Sequence, residues 1–228
     1  MKLTSRAVTT ALLTSCACMA EAGEAFSVSF AGGQWNSEDF IVVGRPGWER
    51  VGRWIQREDH IVNSVPADVS EEELISARAG ETYASLLYRR PLEGNRVIRA
   101  EMSFDHRMAP SIVVAEPPGV DSGGRPEFRT CYEVVLYDRG VNVWRHALEG
   151  GKSLWKKLAF LETVFEPGKK YAMTVSIVFT KPGAQWEIAC EDRRFGFLDP
   201  ETPAAYQAGV VACEGVNRFY SFSVESPE

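Results

Sequence analysis

Short runs rich in Val, Ile, Phe, Tyr and Trp recur along almost the whole chain, each cut off by a cluster of Gly, Pro, Asn or Asp. Residues Val97–Phe104, Cys131–Tyr137, Val141–Leu148, Tyr171–Phe179 and Phe219–Val224 are the clearest, and several alternate apolar and polar side chains with period two. That period places one set of side chains on each face of a strand, so one face can be buried and the other left to solvent. Asp138-Arg139-Gly140 and Lys181-Pro182-Gly183 fall between such runs and read as hairpin turns. Many short strands at this spacing predict a sandwich of two antiparallel sheets rather than a parallel α/β sheet. Ser70–Ala79 alone has helical character, with Ser70 and Glu73 in capping-box spacing.

The 228 residues are 45% hydrophobic and 25% charged, which excludes a disordered or collagen-like chain. With 25 basic against 31 acidic residues and no basic block, nucleic acid is not an expected partner. Lys2 and Arg6 followed by the apolar stretch 7–15 read as an export signal too short to span a bilayer. Leu13-Thr14-Ser15-Cys16 resembles a lipobox with Cys16 as the lipidated residue, while Cys18-Met19-Ala20 and Ala20-Glu21-Ala22 offer ordinary cleavage. The expectation is a signal over 1–22, a single domain over 23–228, and location in the periplasm or on the outer membrane of a bacterium. Any membrane contact would run through such an N-terminal lipid anchor. Of the cysteines beyond the signal, Cys131, Cys190 and Cys213 have no metal-like spacing and read as small buried hydrophobes; Cys190–Cys213 is the pair to test if a disulfide exists.

Gly-rich phosphate loops, GxSxG and HExxH are absent, and Glu101-Met102-Ser103-Phe104-Asp105 lacks the carboxylate spacing of the jelly-roll glucanases. Three constellations remain. Asp105-His106-Arg107 ends an apolar strand and could hold an anion or move a proton, or could be a surface ion pair. Tyr132-Glu133 and Trp144-Arg145-His146 come together if 138–140 is a hairpin, with Trp144 and His146 on one face and Arg145 on the other. Glu214, Asn217 and Arg218 suggest a tight connection in which Glu214 pairs with Arg218.

Phe104-Asp105-His106-Arg107-Met108-Ala109-Pro110-Ser111, Tyr132–Asp138, Gly140–Trp144 and Ala212–Tyr220, in that order, resemble the YesU-like family of concanavalin A-like jelly rolls. The resemblance spans about Phe26 to Val224. It implies a jelly-roll sandwich linked to the use of polysaccharides, in particular pectin-type uronate glycans. The leading expectation is therefore a polysaccharide lyase. Arg107 or Arg145 would neutralise the uronate carboxylate, His106 or Tyr132 would take the C5 proton, and His146 or Tyr220 would protonate the leaving oxygen. Glu133, Trp144, Glu214, Asn217 and Arg218 would contact substrate. The alternative is a non-catalytic glycan-binding lipoprotein in which Trp144, Tyr132 and Trp48 stack on sugar rings. No cofactor is expected beyond a structural calcium on loop carboxylates such as Asp39 or Asp199.

Overall fold

The computed structural model describes residues 25–48, 51–107 and 109–227, so the expected signal and Cys16 lie outside the described residues. The strands are β1 (Phe26–Ser29), β2 (Phe40–Ile41), β3 (Trp54–Gln56), β4 (Ile61–Asn63), β5 (Ala84–Tyr88), β6 (Leu92–Glu93), β7 (Arg96–Phe104), β8 (Ser111–Ala115) and β9 (Gly119–Val120). They continue as β10 (Pro126–Glu127), β11 (Thr130–Tyr137), β12 (Gly140–Glu149), β13 (Lys152–Glu162), β14 (Tyr171–Thr180), β15 (Gly183–Cys190), β16 (Arg193–Asp199), β17 (Ala205–Ala212) and β18 (Asn217–Glu225).

Two large antiparallel sheets form the sandwich. One runs β16-β15-β14-β7-β18-β4-β3 with β1 also on β18; the other runs β13-β12-β11-β8-β17-β5-β2 with β6 also on β17. The period-two pattern sets what lies between them. Tyr132, Val134 and Leu136 of β11 meet Met173, Val175 and Ile177 of β14 and Trp186 and Ile188 of β15 in one buried layer. The helical stretch is shorter than expected. A capping box between Ser70 and Glu73 starts a helix that covers only Glu71–Leu74, and a 3-10 turn follows at Ala79–Thr82.

Both expected hairpins form. Tyr137 pairs with Gly140 across a two-residue turn, and Thr180 pairs with Gly183 in the same way. Gly140 has φ 143°, and a Cβ there would run into the carbonyl of Leu161 on β13. At Gly209 the limit is space: any Cβ would collide with the carbonyl of Leu86 and with Leu87 Cα on β5. Gly209→Ala is therefore expected to force β17 and β5 apart and to cost about 1–3 kcal/mol. Urea unfolding checks this, and a change below about 0.5 kcal/mol would contradict the close approach.

The outer face of the second sheet is only half covered. Over β5, β8 and β17, the chain around Val43 and Trp48 packs with Tyr83 and Phe128 onto Leu87, Val113 and Val211 as a second apolar cluster. Over β11, β12 and β13 no such apolar cluster lies on top among the described residues, and this gap is where the candidate site opens.

Candidate functional site

A cleft of about 570 Å³ lies on that outer face, between the chain at 45–48, strands β11 to β13 and the turn after β17. Alternation along the strands decides who reaches it. Glu133 stands opposite Trp144, and Cys131 opposite His146, on adjacent strands. Glu133, Trp144 and His146 all line the cleft. Trp155 of β13, opposite His146, is 68% exposed, and its ring meets Trp144 edge-on at 5.5 Å. A register shift in the β12–β13 pairing leaves Leu158 without a partner, so Lys157 and Phe160 flank Trp144 on the same face. Lys157 Nζ lies 4.9 Å from the centre of the Trp144 ring.

The charged floor is built around Arg45. Its Nη2 is 3.5 Å from Glu133 Oε2 and 2.8 Å from both ring nitrogens of His146, and its guanidinium lies 4.9 Å from the Trp48 ring centre. His146 Nε2 is 3.3 Å from the same Glu133 oxygen. Burial opposes a charge on Glu133, but Arg45 and His146 outweigh it and bring its pKa down to about 2. Burial likewise works against Arg45, but Glu133 together with the neighbouring Cys213, Cys131 and Tyr83 outweighs it, holding the pKa above the ordinary value. Glu214 is held the opposite way from Glu133: burial raises its pKa, Arg45 opposes the rise and Glu133 adds to it. Its backbone has φ 55°, a left-handed conformation uncommon for a residue with a Cβ.

Two buried asparagines hold that turn. Asn217 Nδ2 donates to the carbonyls of Cys213 (2.8 Å) and Gly215 (3.1 Å). Asn63 Nδ2 donates to Gly215 O, and Asn63 Oδ1 accepts from the Asn217 backbone. Asn217, expected to contact substrate, is fully buried and positions the Glu214 turn instead.

The other expected site residues scatter. Tyr132 is completely buried between the sheets, where its hydroxyl donates to Asp199 Oδ2 at 2.7 Å, and burial raises its pKa. It can neither stack on a sugar nor take a proton from one in the cleft. Arg145, its partner across the β11–β12 ladder, shares that inner side and pairs with Glu201 at 3.3 Å. Arg218 makes a bidentate pair with Asp105, both contacts at 2.8 Å, and not with Glu214. Tyr220 belongs to the opposite sheet; its hydroxyl is 3.1 Å from Ser103 Oγ, and Lys170 lies over its ring at 3.7 Å. His106 is half exposed and 3.2 Å from Glu71, and neither it nor the exposed Arg107 lines the cleft. The lyase arrangement of His106, Arg107, Tyr132, Arg145 and Tyr220 around one substrate is thus not assembled. Only His146, Glu133, Trp144, Glu214 and Trp48 meet there, joined by Arg45 and Trp155, which the sequence reading did not single out.

Cys131, Cys190 and Cys213 are buried free thiols, so Cys190 and Cys213 are not bridged. Cys190 lies in the layer between the sheets, whereas Cys131 and Cys213 belong to the cluster beside the cleft floor. Among the described residues no group of three or more His, Cys, Asp or Glu side chains is placed to hold a metal. Asp199, a calcium candidate, accepts instead from Tyr132 and from Thr202 Oγ1.

No protein-family model matches the chain, and no curated protein matches it. Solved structures do. The carbohydrate-binding module CBM66 from Bacillus subtilis superposes with a TM-score of 0.54 at 12% identity, over 82% of this chain and 96% of that one. A Lotus tetragonolobus seed lectin gives 0.55 at 9% identity, over 88% and 97%. The lectin UEA-II complexed with galactose gives 0.52 at 9% identity, over 90% and 98%. At such identities the likeness is one of fold: the chain is a concanavalin A-like jelly roll, the class to which these lectins and this binding module belong.

Proposed function

We propose that the protein binds a glycan in the cleft over β11, β12 and β13, without cleaving it. The observation that carries this is Trp155, a large aromatic ring left mostly in solvent beside Trp144 and above a floor of hydrogen-bonding charges. Exposed aromatics over polar groups are what sugar rings require, since the ring's C–H face stacks and its hydroxyls pair. The binding module and lectins of the same fold support the reading, although a fold hosts many functions. The lyase reading has less behind it, because Tyr132 and Arg145 face the inner side of the sheet, His106 and Arg107 lie outside the cleft, and Tyr220 belongs to the opposite sheet. Kinship with the YesU-like proteins, export through residues 1–22 and lipidation at Cys16 are companion proposals that rest on the sequence blocks alone.

Trp155→Ala tests the cleft. Its ring is so exposed that stability should change by less than about 0.5 kcal/mol. Retention on the best glycan of an array should fall at least about tenfold, as for removal of an aromatic anchor. Unchanged retention of the variant would move the site elsewhere, and an absence of retention by the native protein on every glycan would end the reading.

A further inference from the structure

Two acceptor atoms at the cleft have no hydrogen-bond partner. Glu133 Oε1 and Asn142 Oδ1 are both buried, and neither receives a donor. The side chains that carry them are 6% and 8% exposed and line the cleft. In the β11–β12 register Glu133 faces Trp144 and Val135 faces Asn142, so Glu133 and Asn142 are diagonal neighbours on one sheet face. Tyr137, Ser111, Ser153 and three tryptophans also line the cleft, and Tyr137 shares a side-chain hydrogen bond with Asn142, yet none of them donates to either oxygen. Arg45 Nη2 is directed to Glu133 Oε2 and the His146 ring, and Glu214 brings another carboxyl. Buried acceptors are almost always satisfied in folded proteins, and because these two line the cleft, a ligand that fills it can supply their donors.

The charges narrow the ligand further. Among the described lining residues Arg45 is the only Lys or Arg, and it already faces Glu133. Lys157 stands at the rim, held over the rings of Trp144 and Phe160. Two carboxyl-bearing side chains therefore stand against two cations, one of them outside the lining. A carboxylate ligand would add a third carboxyl group to that set and would bring acceptors where donors are missing. An ammonium would supply a donor, but the Glu133 carboxylate is already matched by Arg45 and His146, so it would add a surplus cation beside Arg45; a hydroxyl donates and carries no charge.

Resting on the glycan-binding reading of the same cleft, we infer that the site takes an uncharged, hydroxyl-rich sugar unit whose hydroxyls donate to Glu133 Oε1 and Asn142 Oδ1, and that it discriminates against uronates. This departs from the uronate substrate that the YesU-like resemblance implies.

The test is calorimetric titration of the purified chain at pH 7 with gluco-, galacto- and manno-oligosaccharides, with oligogalacturonates and with chitosan oligomers. One neutral series should bind, with oligogalacturonate and chitosan at least about tenfold weaker. Because no net charge is neutralised, affinity should change less than about twofold between about 0.05 and about 0.5 M NaCl. Asn142→Ala should weaken the neutral ligand at least about fivefold, consistent with the loss of one hydrogen bond. Tightest binding to the uronate or the amino sugar, abolished by Trp155→Ala, would overturn the inference and leave the glycan-binding reading standing. Neutral binding indifferent to Asn142→Ala, in a variant that melts with the native protein, would also overturn it. Binding of no sugar of any class would overturn both.

Discussion

Arg45→Ala is expected to lower the unfolding free energy by about 3–5 kcal/mol at pH 7, the cost of leaving one member of a buried ion pair without its partner. Glu133 is 6% exposed, and in the variant only His146 would remain against its charge. The dependence on pH separates this from a simple loss of packing over Trp48. In the native protein the Glu133 pKa is lowered from 4.5 to about 2. Stabilisation from a lowered carboxyl pKa is fully present above 4.5 and is lost as the pH falls through 2. In the variant, burial would dominate and raise the pKa, so that protonation favours folding. The native protein thus weakens in acid while the variant is relieved, and their difference should shrink steadily from pH 7 towards about pH 3. Urea titrations of both proteins across that range measure the difference directly. A constant gap would assign the role of Arg45 to its contact with Trp48.

The second large effect is expected at Trp186, where alanine should cost about 3–5 kcal/mol through lost transfer energy and the cavity left behind. Trp186 is fully buried, stacked on Phe197 at 5.6 Å and tilted against Tyr132 at 5.1 Å. Its Nε1 donates to Thr202 Oγ1 at 2.9 Å; Thr202 in turn donates to Asp199, the acceptor for the Tyr132 hydroxyl. The indole therefore ties β15 of one sheet to β11 of the other by ring contact and by a polar chain. Trp186→Phe keeps much of the ring contact and loses the donor, so it should recover at least half of the loss. Urea unfolding of both variants tests this. A loss below about 1 kcal/mol for alanine would mean that the two sheets do not depend on this contact.

The sandwich was legible because period-two alternation carries register information. In β12 the order Asn142, Val143, Trp144, Arg145, His146 already separates the side chains into two faces, and the 138–140 turn brings them against Tyr132 and Glu133. What alternation leaves open is which face is buried. Tyr132 and Arg145 share a face as readily legible as that of Glu133 and His146, yet theirs is the inner one. The partners of the site were hidden for another reason. Arg45 lies 101 residues from His146, in a loop with no period of its own. Glu214 and Arg218 are close in sequence, but the left-handed backbone at Glu214 points its carboxyl into the cleft while Arg218 turns to Asp105. Trp155 lay in plain view within Lys152–Glu162, but only an uncovered sheet face gives an exposed tryptophan a use.

The placement of the three thiols makes this molecule its own reporter of local opening. Burial raises the pKa of Cys131 and Cys213, and carries that of Cys190 to about 12, so alkylation at neutral pH must wait for each site to be uncovered. Cys190 is uncovered when the two sheets separate; Cys131 and Cys213 are uncovered when the floor beside the cleft loosens. Labelling rates at the individual thiols would then resolve two opening free energies in one chain. A ligand held in the cleft would slow the floor pair in proportion to its occupancy while it also raises the global barrier felt by the third.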